Sequence, residues 1–309
     1  MTALSFSDRA ARLPDHLVTW LDVSADGIDT GEIPAADVLP QLASAGVTGL
    51  GLPGASGRAS DPALAVQAVA AVAEHSLAAA FMLWGQRSYA EFLLKAENAV
   101  LRQLQLPAIA AGEVAGASAL SNVMKHLAGF EKLQVTARSE GDDLVINGRL
   151  PWVTNLRRRG FFVATAADPV EGGPTMIVSL AHDDPGLVRS DDLPLMGMCS
   201  SDTAALSLTE VRIPRDRIIA HDARIWLSKV RPVFTALQCG MAIGVARRSL
   251  AEARTCRGAG REILGPSIDQ TARELAAIET QILGGLRNGS FDTAIERLFE
   301  LRITLAELA

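Results

Sequence analysis

The chain has few cysteines and no excess of positive charge. Its 309 residues contain three cysteines, at Cys199, Cys239 and Cys256, and their spacing matches no metal-binding pattern. An odd, small number of cysteines argues against a disulfide scaffold and suits a reducing compartment. The formal net charge of −6 argues against a nucleic-acid-binding protein, because binding to a phosphate backbone calls for a basic face.

Long apolar runs are also lacking. The sequence contains no run of about 18 apolar residues and no signal-peptide pattern at its polar N-terminus. Hydrophobic residues make up 49% of the chain and charged residues 21%, which is an ordinary globular balance. These features predict a soluble, cytoplasmic protein that is long enough to bury a large core.

Hydrophobic patterning divides the chain into three segments. Residues 1–112 carry apolar side chains at helical spacing, and residues 223–309 do so again. Residues 113–222 contain short runs of β-forming residues separated by turn residues. This order predicts an α+β multidomain protein, with an antiparallel β domain between an N-terminal helical domain and a C-terminal helical bundle.

The first C-terminal helix carries two further signals. Gly240 and Gly244 are four residues apart, which predicts that another helix approaches closely there. An apolar stripe from Val230 to Val245 needs a surface to cover it, and it predicts at least a dimer.

The stretch Gly141–Asn155, GDDLVINGRLPWVTN, contains the strongest local motif. Asn147-Gly148 between two apolar runs predicts a β-hairpin with a type I′ turn. Trp152 and Thr154 follow two residues apart, so that a strand would place both on one face. An indole beside a hydroxyl can form a ledge for a flat heterocycle. The alternative is a core tryptophan beside a β-forming threonine, and the residues alone leave both open.

Three segments of the chain resemble the acyl-CoA dehydrogenase family. In Gly141–Asn155 the family has Gly-Asp, an apolar run, Asn-Gly and then Trp-Ile-Thr-Asn. Met196–Pro214 is similar to the family's Gly-x-Arg-x-Ser-x-Thr, followed by a strand and Val-x-Val-Pro. Arg261–Pro266 is similar to its Arg-x-x-Phe-Gly. The resemblance implies an N-terminal helical domain, a middle β barrel and a C-terminal helical bundle, with FAD held between them and dimers or tetramers as the assembly.

The resemblance also implies roles for individual residues. Trp152 would lie against the isoalloxazine ring of FAD, and Thr154 would hydrogen-bond near its N5 atom. Arg261 matches an arginine that reaches the FAD of a neighbouring subunit, where a planar guanidinium suits phosphate oxygens; the alternative is a surface arginine. Ser201 and Thr203 match polar positions near the substrate and the flavin; the alternative is a pair of strand-edge hydroxyls.

The chain departs from the family pattern at several points. The family's Thr-Glu-Pro…Gly-Ser-Asp segment, which holds flavin and phosphate, corresponds to Ala117–Phe130, where Ser121 and Asn122 can offer hydrogen bonds to the cofactor. The arginine of Gly-x-Arg is replaced by Cys199. Typical members continue past the position of Ala309 with two helices that carry an adenosine-binding segment and, usually, the catalytic glutamate.

The resemblance implies an FAD-dependent oxidoreductase that oxidises an acyl thioester, such as an acyl-CoA, at its α,β-carbons. That reaction needs a carboxylate to accept the α-proton. Some members place the carboxylate early in the first C-terminal helix, but the sequence has no Asp or Glu between Ala223 and Ala251. No catalytic residue and no metal site is therefore predicted. A flavin-dependent monooxygenase of the same fold, or a non-catalytic subunit or paralogue, are the alternatives.

Overall fold

The structure, a computed structural model, describes residues 12–54, 59–256 and 260–308. Helices form both ends of this part of the chain, and strands lie between them. The helices are α1 (Asp15–Thr30), α2 (Ala35–Ser44), α3 (Pro62–Ala73), α4 (Leu77–Leu94), α5 (Ala99–Ala110), α6 (Val123–Leu127), α7 (Ala223–Thr255), α8 (Gly260–Arg287), α9 (Ser290–Thr293) and α10 (Ile295–Leu308). None of the helices in these ranges combines the length and the hydropathy that crossing a membrane requires.

Side-chain caps explain where four of these helices begin. Asp61, Ser76, Asn98 and Asp222 each accept a hydrogen bond from a backbone N–H two or three residues further on. Such caps satisfy donors that the first helical turn leaves without a partner. The local sequence therefore determines where α3, α4, α5 and α7 begin.

The strands form one mixed sheet. They are β1 (Ala115–Ala119), β2 (Val135–Glu140), β3 (Asp143–Val153), β4 (Phe161–Pro169), β5 (Met176–Ala181), β6 (Leu187–Asp192), β7 (Ala204–Pro214) and β8 (Ile218–Ala220). Their hydrogen-bonded order is β6-β7-β3-β2-β4-β5-β8, and β1 also pairs with β4.

The prediction of an antiparallel barrel is only partly right. Strand β4 runs parallel to β1 and, at its own end, to the start of β2, while the remaining pairs are antiparallel. Parallel neighbours require long connections, and the chain between β1 and β4 supplies one, because it contains α6 and the β2–β3 hairpin. Within the described residues, no pairing of β6 with β8 closes the sheet into a barrel.

The predicted hairpin turn at Asn147-Gly148 is wrong. Strand β3 runs without interruption through both residues, and the hairpin turns instead at 141–142, where Glu140 pairs with Asp143. Asn147-Gly148 forms a β-bulge, at which the register of β3 with β7 shifts. Turns and bulges both use residues that tolerate unusual φ values, so the dipeptide alone does not distinguish them.

Side-chain contacts hold this bulge in place. The Oδ1 atom of Asn147 accepts a hydrogen bond from the backbone N–H of Glu210 at 2.8 Å, and its Nδ2 atom donates to Glu210 Oε1 at 2.6 Å. Gly148 has a φ of 145°, and its backbone lies against the carbonyl of Gln134.

The two glycines of α7 lie where α3 crosses it. A Cβ atom added at Gly240 would be 2.8 Å from the carbonyl oxygen of Val66, and one at Gly244 would overlap that of Ala70. The predicted close helix approach is confirmed. Residues of the same chain cover most of the apolar stripe on α7, including Val230 and Leu237. The stripe therefore does not support the prediction of a dimer.

We predict that Gly148→Ala destabilises the protein by about 2 kcal/mol or more, because its methyl group would overlap the carbonyl of Gln134. Gly129→Ala is the control: this glycine also has a positive φ, of 79°, but a Cβ atom there meets no atom within 4 Å. The control should lower the free energy of unfolding by only about 1 kcal/mol, because it adds backbone strain but no steric overlap. Denaturant unfolding followed by circular dichroism measures both, and equal losses would contradict the bulge packing.

Candidate functional site

A cavity of about 890 Å³ lies between the end of β3, α4, α7 and α10. Much of its wall is aromatic, and consists of Phe81, Trp84, Phe92, Trp152, Phe234 and Phe299. A volume of this size fits a cofactor or a substrate of several hundred daltons, and apolar walls with few polar groups are typical of such sites.

Trp152 and Thr154 both line this cavity. Trp152 is 63% exposed, so it is not a core tryptophan. Thr154 is only 9% exposed and lies just beyond the last residue of β3. The structure thus brings an indole and a hydroxyl to one cavity wall, as the spacing of the two residues predicts.

A chain of hydroxyl groups continues from Thr154 into the protein. Its Oγ1 atom lies 3.0 Å from Oγ1 of Thr203, which lies 2.7 Å from Oγ of Ser201. Thr203 also lines the cavity, whereas Ser201 is fully buried behind it. Sequence positions about 50 residues apart therefore meet at one hydrogen-bonded point, and the proton of each hydroxyl can be placed in either direction along the chain.

Asn155 fixes the end of β3. Its side chain is fully buried, and its Nδ2 atom donates hydrogen bonds of 2.9 Å to Gln86 Oε1 and to the carbonyl oxygen of Gly116. Gln86 is itself held, since its Nε2 atom donates to the carbonyls of Ile109 and Val114. These hydrogen bonds join β3 to α4 and β1, although Oδ1 of Asn155 is buried without a partner among the described residues.

The backbone around the site is unusual. Asn155, Met198 and Asp202 all have positive φ values, of 61°, 55° and 50°. Residues other than glycine adopt this conformation infrequently, and such residues are concentrated at functional sites. The backbone N–H of Asn155 donates to the carbonyl of Ser201 at 3.0 Å, which ties the strained loop before β7 to the end of β3.

The remaining predicted cofactor-binding residues do not all lie in the same cavity. Ser121 lines the main cavity, while Asn122 lines a small neighbouring cavity and its Nδ2 atom donates to Glu131 Oε1 at 3.4 Å. Arg261 lies in helix α8, but its side chain is outside the part of the chain that the structure describes. Of the predicted residues, Ser121, Trp152, Thr154 and Thr203 therefore line one cavity.

Sequence reasoning missed the polar residues on the helical wall. Arg231, Thr235 and Gln238 of α7 and Arg302 of α10 also line the cavity. Their spacing on α7 was available as a signal, but the apolar residues between them dominated the pattern. Gln86 was missed as well, because its partners lie in distant segments.

Known proteins share this architecture. No family model matches the chain. Among curated proteins, a probable acyl-CoA dehydrogenase of Mycobacterium tuberculosis, FadE25, is 28% identical over 173 residues, which are 53% of this chain and 44% of that protein. The chain thus aligns with less than half the length of the curated relatives that it matches.

Solved structures match over nearly the whole chain. The butyryl-CoA dehydrogenase of Megasphaera elsdenii has a TM-score of 0.79 and 18% identity, and the match covers 100% of this chain and 89% of that one. A glutaryl-CoA dehydrogenase of Mycobacterium smegmatis, in complex with FADH2, has a TM-score of 0.76 and 16% identity, and the match covers 99% and 84%. The chain shares the fold of these acyl-CoA dehydrogenases.

The cavity has a distinctive charge pattern. Among the described lining residues there is no Asp or Glu, and the charged ones are Arg231 and Arg302. The ranges that the structure describes also hold no group of three or more side chains suited to a metal ion. The lining therefore offers no carboxylate to accept a proton.

One buried carboxylate lies behind the site. Asp202 is 5% exposed, and burial raises its pKa to about 6, although Arg189 at 3.7 Å acts in the opposite direction. A carboxyl group whose pKa is higher in the folded than in the unfolded protein favours folding below its unfolded pKa, near 3.8. That contribution is lost as the pH rises through about 6.

We predict that Asp202→Asn raises the free energy of unfolding at pH 7.5 by on the order of 2 kcal/mol and changes it little at pH 4.5, where the native carboxyl is largely protonated. Asparagine also tolerates the positive φ of this position. Asp183→Asn, at an exposed aspartate, should show no such difference. Denaturant unfolding at the two pH values measures the effect; an equal change at both would contradict the assignment.

Proposed function

We propose that the chain is an FAD-dependent oxidoreductase of the acyl-CoA dehydrogenase type, which acts on an acyl thioester in the 890 Å³ cavity. The observation that carries the proposal is the presence of Trp152 and Thr154 in one wall of that cavity. The names of the similar proteins support the same reaction class.

The residues present fit a flavin. The exposed indole of Trp152 offers a flat apolar surface for a ring system, and Thr154 offers a hydroxyl whose second partner, Thr203, keeps it oriented. Ser121 and Asn122 offer further polar groups on an adjacent segment, and Arg261 is the proposed partner of the FAD phosphates. A bound flavin would supply a two-electron acceptor for hydride.

The chain's own residues also suggest where an acyl group binds. Phe81, Trp84, Phe92 and Phe234 form an apolar wall, which excludes water and favours a hydrocarbon chain. In this proposal the hydroxyl of Thr203 holds Thr154 in position and contributes to the polar end of the thioester site. Ser201, which is buried behind the cavity and was predicted to contact the substrate, instead holds Thr203. The group that accepts the α-proton is left unassigned.

The absence of a carboxylate from the described lining favours a second candidate, a flavin-dependent monooxygenase of the same fold. Oxygen transfer from a reduced flavin does not require a carboxylate at the substrate α-carbon. A non-catalytic subunit that pairs with a complete paralogue is the third possibility. The family resemblance further implies a homodimer or homotetramer.

Anaerobic titration of the purified protein with acyl-CoA thioesters of different chain length separates these candidates. Dehydrogenation bleaches the flavin absorbance of the protein as the thioester is added. If thioesters leave the flavin oxidised, but an added flavin reductase and oxygen give a hydroxylated product, the monooxygenase is correct. A protein that neither contains flavin nor binds added FAD would contradict both enzyme proposals.

We predict that Trp152→Ala weakens FAD binding about tenfold or more, since aromatic stacking contributes about 1 kcal/mol or more beyond the contact area. Its effect on stability should be below about 0.5 kcal/mol, because the side chain is mostly exposed. Phe130→Ala, which removes an aromatic ring that is 85% exposed and outside the cavity lining, is the matched control. Fluorescence titration with FAD measures the affinity of both variants. An unchanged affinity in Trp152→Ala would show that the indole does not form a surface for the flavin ring.

We predict that Thr154→Val shifts the reduction potential of bound flavin, whereas Thr154→Ser leaves it near the wild-type value. Valine keeps the volume of the side chain but removes the hydroxyl that lies 3.0 Å from Thr203. Serine keeps a hydroxyl at this position. Equilibration with redox dyes measures the potential, and identical values for the two variants would show that the hydroxyl does not contact the flavin.

A further inference from the structure

A second polar region of the cavity lies on its helical wall, apart from the hydroxyls at the end of β3. Arg231, Thr235 and Gln238 are spaced by four and three residues, which places them on one face of α7. Arg302, from α10, lines the same cavity. This wall therefore presents two guanidinium groups, a hydroxyl and a carboxamide.

A stacking contact brings the two arginines to the same part of the cavity. The Cζ atom of Arg231 lies 5.2 Å from the centre of the Phe299 ring. Phe299 and Arg302 are three residues apart on α10, and side chains at this spacing are neighbours on a helix surface. A guanidinium that stacks through its face keeps its N–H edge available for hydrogen bonds.

The positive charge of these arginines is not neutralised within the described part of the chain. Arg247, further along α7, binds Glu74 and Glu279 at 2.6 Å. Arg231 and Arg302 make no comparable ion pair with a described residue, and the described cavity lining contains no carboxylate. Positive charge that no carboxylate neutralises attracts an anion.

We infer that Arg231 and Arg302 form an anion-binding site, and that the molecule bound in this cavity carries a carboxylate or a phosphate in addition to its reacting acyl part. Two guanidinium groups can hold either group through paired hydrogen bonds. Thr235 and Gln238 add neutral hydrogen-bonding groups beside them. The acyl part of this inference rests on the proposed function, but the anion site does not.

The test uses Arg302→Gln, because Arg302 lies on an exposed part of α10 and the variant should fold. Binding is measured by thermal shift for two pairs of probes: glutaryl-CoA against pentanoyl-CoA, and pentanoyl-CoA against S-pentanoyl pantetheine. The first pair differs by a distal carboxylate and the second by the phosphates of the carrier. Arg273→Gln, at an exposed arginine of α8, is the control.

The native protein should prefer the charged member of one pair about tenfold or more, which is about 1.4 kcal/mol. Arg302→Gln should reduce that preference to threefold or less, while Arg273→Gln keeps it. The pair of probes whose preference Arg302→Gln reduces identifies the source of the anion. No preference in either pair, or a preference that Arg302→Gln leaves unchanged, overturns the inference.

FAD and riboflavin, measured in the same way, provide a further arm. If Arg302→Gln weakens binding of FAD but not of riboflavin, the arginines serve the flavin phosphates and the assignment to the substrate is overturned. Thermal shift does not depend on a flavin. A protein that prefers the charged thioester but binds no FAD would therefore support the anion site while contradicting the proposed function.

Discussion

The hydrogen bonds of Asn155 and Gln86 determine the geometry of the candidate site. Asn155 lies in the left-handed conformation, where β3 ends, and its buried carboxamide joins α4 and β1. Thr154 immediately precedes it, so the position of its hydroxyl in the cavity wall follows from this network. Because both carboxamides are fully buried, water cannot replace their mutual contacts without a large cost.

The cavity that results has two chemically different sides. The sheet side offers an indole and hydroxyl groups, which suit a neutral heterocycle and its hydrogen bonds. The helical side offers two arginines with a hydroxyl and a carboxamide beside them, which suit an anion. A ligand that contacts both sides would be oriented by the difference between them, since polar groups placed at opposite ends of an apolar pocket fix one binding direction.

The same chain also shows how one sequence signal can serve two structures. Asn147-Gly148 tolerates unusual backbone angles, and the fold uses that tolerance for a bulge inside β3 rather than for a turn. The long strand that follows from this choice pairs with β2 on one side and β7 on the other. It also extends β3 as far as Val153, so that Trp152 and Thr154 reach the cavity.

Local sequence determined much of this protein by itself: the helical caps at Asp61 and Asp222, the helix–strand–helix order, the close approach at Gly240, and the pairing of Trp152 with Thr154 on one cavity wall. These features depend on residues within a few positions of one another. Tertiary structure alone decided the parallel pairing of β4, the bulge at Asn147, the meeting of Thr154 with Thr203, and the stacking of Arg231 on Phe299 between α7 and α10. Each of these joins residues far apart in the chain, and such contacts depend on packing across the whole domain rather than on any local pattern.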